Sequence, residues 1–198
     1  ALFLLIFEYT DSEFLLGVLF TVRMLCFALL QPISGLLADR MNRKHIMIAS
    51  NVLQVFLALC FLGVNGSEDI WWMLALSGLM MLLHGAYVTA ERAALPNIVP
   101  EEHLATANAL DAASWSSALC IGAMLGGVVV EFYGVDAAFI IDSLTFLLSA
   151  ILLIPITLPQ TVGDEMKGPL FSTAASNIKN GLRRILDESR LLRVVFAK

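Results

Sequence analysis

Charge is what this 198-residue chain has least of: Asp, Glu, Lys and Arg together make up 15%, well under the roughly 25% of soluble domains. Apolar residues fill the gap at 59%, and that balance excludes an ordinary soluble domain in favour of a membrane-embedded chain. Cysteine is nearly as scarce. Cys26, Cys60 and Cys120 each fall inside an apolar run, without a Cys-x-x-Cys or His-x-x-x-His spacing, so they read as small packing residues rather than as a disulfide or metal site. No Gly-Lys-Ser/Thr closes a phosphate-binding loop, which removes ATP-driven pumping, and no nucleophile–base pairing points to an enzyme. No cofactor is expected, and nucleic acid is not an expected partner of a chain with net charge -5.

What is there is a series of helix-length apolar runs. Residues 1–10 read as the tail of a spanning helix, because the sequence starts inside an apolar run without a charged leader. Complete spans are expected over about 14–38, 46–64, 70–90, 104–130 and 137–158. The first of these would be roughly 37 Å long at 1.5 Å per residue, against a hydrocarbon core of about 30 Å. Pro32 and Gly35 predict a bend near its end. Polar stretches separate the runs: Asp11–Glu13, the loop Gly35–Lys44, the turn Asn65–Asp69, the loop from Glu91 to His103, and the turn Glu131–Asp136. Trp71 and Trp72 open the fourth span at the depth where indoles prefer to sit. After residue 158 the character changes. Residues 159–190 read as a solvated linker with an interfacial amphipathic helix that carries Ile178, Leu182, Ile185 and Leu186 on its apolar side, and 191–198 as the start of a seventh span.

This series of spans gives the loops alternating sides, and the charges sort accordingly. Arg40, Arg43, Lys44, Arg92 and the basic residues from Lys167 to Lys198 all fall on one side, while the opposite loops hold Asp11, Glu13, Glu68, Asp69, Glu131 and Asp136 without a Lys or Arg. The basic side is expected to be cytoplasmic, so 35–44, 91–103 and 159–190 face the cytoplasm, in the cytoplasmic membrane if the source is bacterial. Of the basic residues one, Arg23, is left inside a span. It lies nine residues from the outer end of its span, roughly 13 Å deep, where a bare guanidinium costs about 3 kcal/mol. It therefore faces the bundle interior or a cavity, either as a substrate or coupling residue or as the structural partner of Asp142 at comparable depth. Asp111, seven residues into its span, lies within reach of cytoplasmic water. His84 is a titratable group, although a lone His on a helix face is more often a packing residue. Gly122 and Gly126, with Gly127, put small residues on one helix and predict close helix packing.

Gly35-x-x-x-Asp39 ends one span and Gly127-x-x-x-Glu131 ends another, 92 residues later and on the opposite side. Three spans repeated in opposite orientation is an inverted-repeat transporter plan. The loop itself resembles the signature between the second and third helices of the major facilitator superfamily, Gly-x-Leu-x-Asp-Arg-x-Gly-Arg-Arg/Lys, through Gly35, Leu37, Asp39, Arg40, Arg43 and Lys44. Asn42 stands where the second Gly is usual, a residue that tolerates a left-handed turn. The sixteen-residue spacing of Arg23 from Asp39, the stretch Arg92–Leu110 and the stretch Ala138–Ala150 are similar to the drug:proton antiporter branch that contains macrolide and siderophore exporters. In that branch's fifth-helix pattern Gly122, Gly126 and Gly127 match, while Ala118 and Ala123 replace a Gly and a Pro. Met81 stands where many of its proton-coupled members have Arg.

The resemblance implies an all-α, multipass fold, a six-helix half built as an inverted 3+3 repeat and truncated at both ends, whose partners are the lipid bilayer, the missing carboxy-terminal half, a small molecule and protons. It implies proton-coupled efflux of an amphiphile such as a drug, siderophore or lipid-like compound. A non-transporting sensor or scaffold that keeps the fold is the other reading. The same resemblance makes Arg40, Arg43 and Glu91 a cytoplasmic charge network that switches with the transport cycle, with Asp39 capping a helix of the opposite half.

Overall fold

The computed structural model describes residues 2–64 and 66–158, and the described residues are helical almost throughout. Helix α1 (Leu2–Thr10) is nine residues long and ends where Asp11 takes a left-handed turn at φ 46°. The hydroxyl of Ser12 then caps α2 (Glu13–Arg40) by accepting from the Leu15 N–H at 3.4 Å, which satisfies one of the donors a helix start leaves open. Pro32 lies inside α2, so the carbonyl of Ala28 gives up its helical bond there.

The loop expected over Gly35–Lys44 is only two residues long. Gly35 to Arg40 form the last turns of α2, Met41 and Asn42 are extended, and α3 (Arg43–Cys60) begins at once. A helix can leave the hydrocarbon and keep its own backbone bonds, so hydrating the charges does not require unwinding. Nor does Asn42 use a left-handed turn: its φ is -64°, and its side chain accepts from the Lys44 N–H at 3.0 Å. The residue that departs from the family pattern is the N-cap of α3.

Two short 3-10 turns, Phe61–Gly63 and Ser67–Asp69, flank the entry to α4 (Ile70–Ile98). The loop expected from Glu91 to His103 is largely absent, because α4 continues through Glu91 and past Pro96. It stops at Val99, whose extended φ of -111° and ψ of 130° follow from the crowding that Pro100 imposes on its predecessor. A turn at Glu101–His103 leads directly into α5 (Leu104–Leu153). Gly134, at φ 83° and ψ 173°, breaks α5 into two arms, 104–133 and 135–153. The turn expected over Glu131–Asp136 is this single glycine, whose missing Cβ permits the positive φ. The second arm ends at Leu153, short of the expected 158. The linker and amphipathic helix of 159–190 and the segment 191–198 lie outside the described residues.

Among the described residues four helices are long and apolar enough to cross a membrane, the fourth being the bent α5 with its preceding turn. Helices α2 and α4 pack along most of their length, and α3 packs on both α4 and α5. The second arm of α5 runs antiparallel to α3. Phe61 stacks on Phe139 at 4.9 Å, Asn51 donates to Ser149 at 2.8 Å, and Lys44 donates to the Ile154 carbonyl at 2.6 Å, in order along the two helices. One apolar cluster closes the acidic-loop end around Ile6, Leu19, Phe61, Met73 and Phe139. A second closes the basic end around Ala38, Ile46, Met47, Ala90 and Leu153.

Between the two apolar clusters several polar side chains are held inside the bundle, while large apolar ones cover its outside. Ser34, Ser50, Asn51, Gln54, Ser77 and Ser143 are buried, while Leu25, Phe56, Leu144 and Ile151 are exposed. In water that would be costly, whereas in lipid, where apolar exposure is free, small and polar residues are what hold helices together.

Candidate functional site

Helix α2 meets α4 through small residues, and this close approach aims Arg23 inward. A Cβ built on Gly78 lies 3.2 Å from the Cys26 sulfur, and Ser77 is fully buried. Beside that crossing the Arg23 guanidinium donates to the Ser77 hydroxyl at 3.2 Å. Two to three turns further along the two helices, the Thr89 hydroxyl lies 3.0 Å from Gln31 Oε1 and 2.8 Å from the Gly85 carbonyl.

Arg23 borders a cavity of about 450 Å³ between the helices. Its walls are apolar and aromatic, with Phe3, Phe61, Met80 and Phe146, and its polar groups are Arg23, Gln54, His84 and Asp142. Asp142 comes from the second arm of α5 and interacts with Arg23 electrostatically. Among the described residues the two do not form a contact ion pair. A carboxylate and a guanidinium on one aromatic-lined space can hold an amphiphile by its polar end while the walls take its apolar body.

A second cavity, about 650 Å³, opens between α4 and the first arm of α5. Glu91, Arg92 and Asp111 share its wall with Phe27 and His84. Glu91 therefore stands with Asp111 and Arg92, apart from the basic groups of the α2–α3 turn with which it was expected to act. A smaller space of about 280 Å³ is lined by Asn51, Gln54, His84, Tyr87, Thr145 and Ser149.

The cations of the α2–α3 turn bond to carbonyls of neighbouring helices. Arg43 donates through Nε to the Ala38 carbonyl at 3.2 Å and through Nη1 to the Ala93 carbonyl at 2.7 Å, and its guanidinium lies 4.0 Å from Asp39. Lys44 reaches the Ile154 carbonyl. The ends of α2, α4 and α5 thus converge on two cations from one turn, where orphan carbonyls and the negative end of each helix dipole favour positive charge.

The expected close packing of Gly122, Gly126 and Gly127 is not made within the described residues. A Cβ on any of the three would meet nothing within 4 Å, because the first arm of α5 is exposed along nearly all its length; only Gly126 reaches the first cavity's edge. What sequence reasoning missed was the polar face of α3. Ser50, Asn51 and Gln54 recur at helical spacing inside an apolar span, and that spacing is the signal that could have found them.

Comparison with known proteins agrees with this architecture. The chain matches the Major Facilitator Superfamily over residues 1–197. It is 30% identical over 166 residues to the uncharacterized MFS-type transporter YfiS of Bacillus subtilis, covering 81% of this chain and 39% of that protein. It is 29% identical over 144 residues to a multi-drug resistance efflux pump PmrA homolog of Lactococcus lactis, covering 73% of this chain and 35% of the relative. It is 30% identical over 127 residues to the multidrug resistance protein MdtG of Yersinia enterocolitica, covering 64% and 30%. The chain thus spans between about a third and two fifths of the length of these curated relatives. No solved structure matches it. An all-helical chain of long apolar helices, with basic groups gathered at one end and a family match along its whole length, is a multipass membrane protein that belongs to the major facilitator superfamily of transporters.

Proposed function

We propose that the chain forms the six-helix amino-terminal half of a proton-coupled exporter of amphiphilic small molecules, built as an inverted 3+3 repeat. The observation that carries this reading is the 450 Å³ cavity, in which Arg23 and Asp142 stand on an otherwise aromatic and apolar wall. Such a wall suits a molecule with a lipophilic body and a polar end, and a charge buried at that depth is by default functional. The names of two relatives, a multi-drug resistance efflux pump homolog and a multidrug resistance protein, favour the same substrate class, and the first favours the same direction. The cytoplasmic face is the end with Arg40, Arg43 and Lys44, and the turn Gly35–Lys44 acts there as a conformational latch rather than as a substrate site.

The test is transport by the full-length protein in proteoliposomes under an imposed pH gradient, with a panel of lipophilic drugs, siderophores and lysolipids. Gradient-dependent movement of at least one amphiphile, lost in Arg23→Ala, is the expected result. Transport that ignores the gradient in every case overturns the coupling, and binding without movement would favour a sensor.

A further inference from the structure

His84 is the one residue that borders all three cavities just described. It lies on α4 one turn beyond Met81, half-buried, with its ring 6.2 Å from the Phe27 ring. A side chain kept only for packing would have protein on every side. The imidazole instead meets open space towards Arg23 and Asp142, towards Glu91 and Asp111, and towards the polar face of α3.

The groups around it form two sets separated by its ring. From α2 comes Arg23, and from the second arm of α5 comes Asp142, both in the first cavity. From the first arm of α5 comes Asp111, and from α4 itself Glu91 and Arg92, in the second cavity. Tyr87 of α4 faces the third, to which α3 contributes only the uncharged Asn51 and Gln54. The first and second cavities have no wall residue in common except His84. Spaces of several hundred Å³ with polar groups at both ends are roomy enough for bridging water.

We propose that His84 is the proton carrier between the two carboxylate sets, a role that rests on the exporter reading above. A proton leaving the Asp142 carboxyl through cavity water adds to one ring nitrogen, which makes the imidazolium and leaves Asp142 as a carboxylate beside Arg23. The other ring nitrogen then releases its proton through water of the second cavity to the Glu91 or Asp111 carboxylate. His84 returns to its neutral form as the opposite tautomer and resets by exchange with water. In net terms one proton has passed from the first cavity to the second, and no other reactant is consumed. Histidine is suited to this because each nitrogen can take or give a proton near neutral pH.

The experiment uses full-length protein in vesicles, with ethidium and a lysophosphatidylcholine as probes and two readouts, flux driven by a pH gradient and probe exchange without one. His84→Phe keeps a ring against Phe27 but carries no proton. Its gradient-driven flux is expected to fall roughly a hundredfold, the low end for a group that handles protons, and the exchange that remains is expected to lose its pH dependence. His84→Gln carries the same expectation, so poor folding of one variant leaves the other. Wild-type gradient coupling in either folded variant overturns the role of His84 and leaves the exporter reading standing. Wild-type protein that moves neither probe under a gradient overturns both.

Discussion

Arg43 carries more of the basic end than any other single side chain described. Its side chain is 16% exposed and its guanidinium bonds carbonyls of two different helices. Charge-assisted bonds of this kind contribute about 1.5 to 3 kcal/mol each when buried. Arg43→Ala should therefore lower stability by about 2 kcal/mol or more, read as a fall in the thermal midpoint of the purified full-length protein. Arg43→Lys should recover little of it, because a single ammonium cannot fork to both carbonyls. Asp39 presents the opposite case. Its carboxylate is 50% exposed and 4.0 Å from Arg43, a pair contributing under about 1 kcal/mol. Asp39→Ala is expected to leave the midpoint nearly unchanged and to slow transport at similar substrate affinity; an unchanged rate would remove Asp39 from the switch.

At the level of whole helices, two glycines make opposite demands. Gly78 is needed for space, since a Cβ there already presses the Cys26 sulfur at 3.2 Å. Gly78→Leu should part α2 from α4, disturb the Arg23–Ser77 bond, and show as lost thermal stability together with lost transport. Gly134 is needed for its backbone: nothing lies near a Cβ there, yet its φ is 83°. Gly134→Ala is expected to cost about 1 to 3 kcal/mol in strain alone, whereas Gly122→Ala, on a regular helix with open space around it, should be tolerated among the described residues.

Much of this scale was legible beforehand. Apolar runs located the helices, and charge sorting located their ends. The boundaries were less so, because a polar stretch was equated with a loop, whereas Glu91 to Leu95 and Gly35 to Arg40 stay helical while carrying charge. Hydrogen bonding to carbonyls was invisible for a related reason. Arg43 and Lys44 find acceptors that every residue possesses, which neither charge pattern nor the resemblance that grouped Arg43 with Arg40 and Glu91 could show. The cavity residues Arg23 and Asp142 stood out because charge inside an apolar run is rare. His84 did not, since only the arrangement of three cavities separates it from an ordinary packing histidine.

Across the molecule as a whole, the polar interior decides what a charge swap can do. Arg23 already has a partner in Ser77, and Asp142 shares its cavity without touching it. Arg23→Asp and Asp142→Arg are each expected to abolish gradient-driven transport, and combining them should restore nothing. Recovery in the double variant would instead establish the two as an interchangeable structural pair. The apolar exterior sets a further expectation. Leu144 and Ile151, exposed on the outer face of the second arm, should accept any apolar replacement without loss of function. Leu144→Lys should reduce membrane insertion, with a cost on the order of 3 kcal/mol at mid-bilayer.

The joint at the basic end has one more property. Ala93 and Ile154 serve it only through their backbone oxygens, and substitution at either position leaves an oxygen in the same place. A mutational scan would therefore register these bonds through Arg43 and Lys44, while a signal at Ala93 would report its packing on the apolar cluster of that end. Pairwise covariation across related sequences would miss the bonds for the same reason. Only a backbone edit, such as an ester in place of the amide that bears the Ala93 carbonyl, would make the receiving half report.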